Sequence, residues 1–88
     1  MDKLFHFYMD DGHGWVAVKK ELLKELKLEN SISAYSYMKG DTAYLEEDSD
    51  ASKFHRAFGK KFMVDPQYLN HTIDGRSPIR NYASYKGE

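Results

Sequence analysis

The strongest constraint on what this chain can fold into is a change of hydrophobic period within its first third. From Lys3 to Met9 the residues alternate, with Phe5, Phe7 and Met9 on one face and Leu4, His6 and Tyr8 on the other. That is the two-residue repeat of a β-strand. Asp10 to Gly14 is a turn cluster in which Gly12 and Gly14 can take positive φ, and Trp15–Val18 reads as a second short strand closing a hairpin. Over Lys19–Leu28 the period becomes helical, with Leu22, Leu23 and Leu26 ringed by Lys20, Glu21, Lys24, Glu25 and Lys27. Strand faces and an apolar helix stripe in one short chain must bury each other, which points to the α+β class.

The alternation of periods continues. Ile32–Met38 and Thr42–Glu47 read as strands joined around Lys39-Gly40-Asp41, with Ala34 and Leu45 on one face and Tyr35, Tyr37 and Tyr44 on the other. Asp48-Ser49-Asp50 offers N-caps for a helix to about Phe58, with Ala51, Phe54 and Phe58 inward and Gly59 as the residue after its end. Phe62-Met63-Val64 reads as a last core strand stopped by Asp65-Pro66. Residues 67–88 are less regular; Asp74-Gly75 would turn a hairpin between Tyr68–Ile73 and Arg76–Tyr82, with Pro78 forcing the second arm to an edge. The expectation is one domain over residues 1–88: a two-layer sandwich of about five antiparallel or mixed strands with two helices on one face. Setting the first strand aside leaves βαββαβ, so a ferredoxin-like topology is a candidate. Eighty-eight residues hold one core, and an aromatic share of 15% supplies large rings to fill it.

Several function classes fall away on composition. The chain has no cysteine, which removes disulfides, thiolate metal ligands and a cysteine nucleophile. It begins Met1-Asp2-Lys3 without a secretory h-region and has no apolar run of bilayer length, so a cytoplasmic protein without membrane contact is expected. Tyr8-Met9-Asp10-Asp11 spells the aspartate pair of reverse transcriptases, yet 88 residues leave no room for the rest of a polymerase. His6, His13, His55 and His71 show no i, i+4 pairing, so no metal, cofactor or catalytic residue is assigned. A small metal-dependent hydrolase built on Asp10, Asp11 and His13 is kept as a second alternative, and the enzyme reading is disfavoured.

Two surfaces carry recognition chemistry. Tyr35, Tyr37 and Tyr44 beside the acidic run of Glu46, Glu47 and Asp48 would form a docking face for a partner protein, and this is the leading reading. Alternatively, Gly12, His13 and Gly14 with Arg76 and Arg80 would clamp a phosphate while Trp15 stacks a base, giving a nucleotide or short nucleic-acid binder. A net charge of −1 and few clustered cations argue against duplex binding. Whether residues 67–88 cover the tyrosines stays open, as does homodimerisation through a sheet edge.

The run Gly12-His13-Gly14-Trp15, then Val18, Leu22-Leu23, Leu26, Ile32-Ser33, Tyr35-Ser36-Tyr37, Gly40-Asp41 and Tyr44 to Asp48, together with His71-Thr72, Ser77, Ile79-Arg80 and Tyr82, resembles small uncharacterised proteins of tailed bacteriophages and prophages. The resemblance covers nearly the whole chain. It implies an accessory protein of the bacterial host cytoplasm that binds a host macromolecule, such as a restriction, CRISPR or nucleotide-signalling defence factor. Where such proteins often carry Cys this chain has Ser49, so the resemblance implies no thiol chemistry here.

Overall fold

The computed structural model describes residues 3–87; Met1, Asp2 and Glu88, and with them the reading of the N-terminus as free of a leader, lie outside the described residues. The elements in chain order are β1 (Leu4–Met9), β2 (Gly14–Lys19), α1 (Lys20–Glu25), β3 (Tyr37–Lys39), β4 (Thr42–Glu46), α2 (Asp50–Phe62), β5 (Gln67–Thr72), a 3-10 turn (Pro78–Asn81) and β6 (Ala83–Ser84). The strands make one sheet in the order β5-β1-β2-β4-β3-β6. β1 and β5 run parallel and every other pair is antiparallel. The α+β sandwich stands as expected, with a six-strand mixed sheet. With β1 and the short edge strand β6 set aside the order is β5-β2-β4-β3, that of a split βαβ arrangement into which β1 inserts between β5 and β2.

The alternation read from the sequence explains the two faces. Phe5 and Phe7 of β1, Val16 and Val18 of β2, and Ala43 and Leu45 of β4 turn toward the helices, where Leu23, Phe54 and Phe58 complete the core. Phe5 stands edge-on to Phe54 and Phe58 at 4.9 and 5.4 Å, the offset geometry that aromatic quadrupoles favour. The opposite face carries Tyr8, Trp15, Tyr37 and Tyr44, brought side by side because Tyr8 registers with Trp15 and Tyr37 with Tyr44. Among the described residues no helix is long and apolar enough to cross a membrane.

Several local expectations are corrected. Ile32–Met38 is not a strand: residues 29–36 turn, and β3 begins only at Tyr37. The cause is Asp50, whose buried carboxylate binds Ser33 and Ser36 and gives that backbone an alternative to the ladder. Ala34 is therefore exposed rather than paired on Leu45's face. Helix α2 runs on to Phe62, with Gly59 inside it, and the left-handed cap is Met63 at φ 61°. Phe62 to Val64 is thus helix end and loop, since Phe54, Phe58 and Phe62 continue one i, i+4 stripe. No last hairpin forms, because Tyr68–Thr72 belongs to β5 beside β1, and after Gly75 the chain enters the 3-10 turn at Pro78. Neither Gly12 nor Gly14 has positive φ. Gly14 is needed for close approach instead, as a Cβ there would lie 2.5 Å from the Phe7 ring.

The segment that follows β5 crosses the open face and returns to the core. The turn at Gly75 is held when its amide donates to Asp11 Oδ2 and its carbonyl accepts from the Asp11 amide. Residues 77–82 then pass over the sheet, β6 pairs with β3, and Tyr85 enters the main core, its hydroxyl donating to the Glu29 carbonyl.

Candidate functional site

Where β2, β3 and β4 meet the loops before β3 and α2, a groove of about 420 Å³ opens. Its floor is Trp15, only 2% exposed, which pairs in register with Glu46 and meets Tyr37 edge-on at 6.2 Å. Tyr35, 81% exposed in the turn before β3, forms one wall, and His13 lies 6.2 Å from Trp15 at the other end. Asp48 and Ser49 complete the rim.

Two buried acids assemble this groove from parts that are neither helix nor sheet. Asp50 lies at the start of α2 and its Oδ2 accepts from the Ser33 amide at 3.0 Å, the Ser33 hydroxyl at 2.7 Å and the Ser36 hydroxyl at 2.6 Å. Ser36 Oγ in turn accepts from the Glu46 amide, so the Tyr35 loop is tied to β4 as well as to α2. On the other side Asp10 accepts from Arg80 Nε at 2.6 Å and Nη2 at 2.8 Å, a two-point carboxylate–guanidinium pair. The Arg80 guanidinium, followed by the Ser77 amide, holds the Asp10 carboxyl far below the usual carboxylate range. So fixed, the guanidinium carbon lies 5.4 Å from the Trp15 ring and roofs that end of the groove.

The electrostatics of the groove favour a cation. Arg80 is neutralised by Asp10, whereas no ion pair forms at Glu46, Glu47 or Asp48 among the described residues. Glu46 Oε1 accepts from the Asp48 and Ser49 amides at 3.0 and 3.2 Å, and burial pushes its carboxyl upward from the ordinary range. A carboxylate penalised by burial gains most from an arriving positive charge. Tyr35, largely exposed, and the half-buried Tyr37 add ring faces over which a guanidinium or ammonium settles, above the covered Trp15.

The groove gathers residues from both recognition surfaces. Tyr35, Tyr37, Glu46 and Asp48 of the partner-docking set stand here with His13, Trp15 and Arg80 of the phosphate set. Tyr44 does not join them, because Tyr82 lies over it at 5.2 Å. Glu47 faces a different cavity, beside Val16 and His55. The Gly12 and His13 amides, which would cradle a phosphate, both donate to Asp10 Oδ1 at 3.0 Å, and Gly14 packs on Phe7. Arg76 is exposed in the loop ahead of Ser77 and does not line the groove.

Two further clusters lie elsewhere. His55 Nδ1 and the Tyr68 hydroxyl are 2.8 Å apart beside a cavity of about 350 Å³, where burial pushes the Tyr68 phenol up to about 12. On the open face His6 Nδ1 and His71 Nε2 are 2.8 Å apart, with Tyr8 stacked on His71 at 4.8 Å. Among the described residues no three His, Asp or Glu side chains converge to hold a metal, and Asp10 and Asp11 both turn to the C-terminal segment. Sequence reasoning read Asp50 only as a candidate helix cap and missed its bonds to Ser33 and Ser36, although two serines three residues apart and an acid near a helix start are known side-chain-to-backbone bonders. No protein-family model, no curated protein and no solved structure matches the chain.

Proposed function

We propose that this protein is a non-catalytic binding module that docks on a host protein by receiving a basic segment, with an arginine or lysine side chain, in the groove over Trp15. The observation that carries the reading is the meeting of unpaired Glu46 and Asp48 with the rings of Trp15, Tyr35 and Tyr37. A guanidinium entering there stacks on a ring and donates to Glu46, so it gains cation–π and charge-assisted contacts together. A phosphate would meet two acids and amides already engaged by Asp10. The resemblance to small proteins of tailed phages supports a partner in the bacterial host cytoplasm. Occupying a basic surface of a host or defence factor would block that factor's own acidic ligand.

The chain's single tryptophan lies in the groove, so its emission is the natural readout. Titration with short arginine-rich, lysine-rich and glutamate-rich peptides is expected to change Trp15 emission for the basic peptides only. The response should weaken with salt, as screening over about 8 Å at physiological ionic strength requires. Glu46→Gln with Asp48→Asn should lower affinity about tenfold, the scale of one charge-assisted contact. An equal response to the acidic peptide, or no response to any at millimolar concentration, would refute the reading.

A further inference from the structure

The two edges of the sheet differ in a way that the groove does not explain. One edge, β6, is only two residues long. The other, β5, has six residues, Gln67–Thr72, paired with β1 at every position without a bulge. Its sequence, Gln-Tyr-Leu-Asn-His-Thr, contains no lysine, arginine, acid or proline. Protected edges are kept short, charged, bulged or interrupted by proline, and β5 has none of these features.

Gln67 and Ile73 donate inward to the Lys3 and Met9 carbonyls. By the alternation of a parallel pair, Leu69 and His71 also bond inward, which leaves the main-chain groups of Tyr68, Asn70 and Thr72 pointing outward. The outward groups form a template about 20 Å long, at roughly 3.3 Å per residue. Beside it on the open face Leu4 and Leu69 are each 46% exposed.

We infer that β5 is a dimerisation edge, where a second copy of this chain adds its own β5 antiparallel about a two-fold axis at Leu69. In that register Tyr68 and Asn70 exchange both main-chain hydrogen bonds across the axis, and Leu69 meets its own copy at the close, non-hydrogen-bonded position. Gln67 faces the partner's His71. No like charges oppose, because the strand carries none of the always-charged residues. Self-pairing is favoured over head-to-tail growth, since β6 is too short to receive β5, and the pairing closes as an isologous dimer. Pro66 limits the ladder at one end by lacking a donor. A single strand pair belongs to the small end of protein interfaces, below about 1,200 Å², so the dimer should form at micromolar concentration and dissociate on dilution.

The test is independent of the groove, whose lining residues lie on other strands and loops. Sedimentation of the full chain from low micromolar to submillimolar concentration should show a concentration-dependent rise from monomer to dimer. Leu69→Lys, which sets two ammonium groups opposite each other, should raise the dimer dissociation constant at least tenfold while leaving the Trp15 response to basic peptide unchanged. The chain has no cysteine, so single introduced thiols report the register directly. Leu69→Cys should oxidise to a covalent dimer, because a non-hydrogen-bonded pair places Cα atoms about 4.5 Å apart, inside disulfide range. Gln67→Cys, whose two copies lie on opposite sides of the axis, should not. A monomer at every concentration, a dimer indifferent to Leu69→Lys, or equal oxidation of both thiol variants would overturn the inference.

Discussion

Replacing Asp50 with alanine should be the most damaging single change that leaves the aromatic core intact. The Asp50 side chain is fully buried and its Oδ2 accepts from the Ser33 amide, the Ser33 hydroxyl and the Ser36 hydroxyl. Each hydrogen bond to a charged acceptor contributes about 1.5–3 kcal/mol net. Three such bonds set a ceiling of about 9 kcal/mol, but several kcal/mol return because the carboxylate no longer has to be desolvated. Ser33 is half-exposed and can turn to water, whereas Ser36 is fully buried and cannot. The expected net loss is therefore about 3 kcal/mol, most of it the orphaned Ser36 hydroxyl and the freed loop. For a domain of this size that is roughly 12–24 °C in Tm.

Thermal and urea unfolding of the purified variant measure this directly. A double-mutant cycle with Ser36→Ala isolates the pair, and a coupling of about 1 kcal/mol or more is expected. Amide spectra of Asp50→Ala should show the largest changes at residues 31–37 with α2 and the Phe54–Phe58 core preserved, since Asp50 holds the turn rather than the helix body. A loss below about 1 kcal/mol, or shifts spread evenly over the sheet, would mean that the Ser33–Ser36 turn stands without the carboxylate.

Three other outcomes are expected. Asp10 has its folded pKa lowered, chiefly by Arg80, so its contribution is fully present above the unfolded value near 3.9 and is lost as pH falls further; Tm of Asp10→Asn should change less between pH 7 and pH 3 than that of the wild type. Tyr68 is shifted the other way, up to about 12 by burial, so stability declines as pH rises above about 10, and in an ultraviolet titration Tyr68→Phe should remove the last phenol to ionise. Gly14→Ala puts a methyl group 2.5 Å from the Phe7 ring and 3.3 Å from Glu47 Oε1, and should cost about 1–3 kcal/mol in urea unfolding; a neutral result would show that Phe7 yields freely.

What the sequence made legible follows from which interactions are periodic. β1, β2, β4 and the start of α2 obey a two- or four-residue repeat, and their inward residues Phe5, Val16, Leu45 and Phe54 are where that repeat puts them. The misread segments are those set by one-off side-chain bonds. Residues 29–36 look strand-like because Ile32 and Tyr35 have high β propensity, but Asp50, fourteen residues beyond Ser36, decides their path. Gly59 resembles a helix stop; its hydrogen instead lets the chain return close by, since a Cβ there would stand 3.1 Å from Asp65 Oδ1. β5 was hidden because it bonds to a strand sixty-three residues earlier, a parallel pairing that leaves no turn signal. The groove was half legible: Tyr37 and Glu46 lie on readable strands, but Arg80 reaches it only through Asp10, a contact seventy residues apart in sequence.

The division of labour among the acids then bears on how the groove would act. Asp10 and Asp50 face inward and, with the exposed Asp11, fasten three segments without regular structure, the turn after β1, the C-terminal strap and the Tyr35 loop. Glu46 and Asp48 remain unpaired in the space those segments enclose. Because the net charge is only −1, the protein generates little long-range field, so a basic partner would be recognised at contact rather than steered from afar. Affinity must then come from preorganisation, and two-point fastening of the roof by Asp10 and of the wall by Asp50 keeps the rings placed before a guest arrives. Loosening either fastening should therefore weaken basic-peptide binding mainly through faster dissociation, while salt acts on the remaining Glu46 and Asp48 attraction. Stopped-flow emission from Trp15 separates the two. If Arg80→Leu changed only the association rate and left dissociation unchanged, the roof would act on entry and not as a clamp.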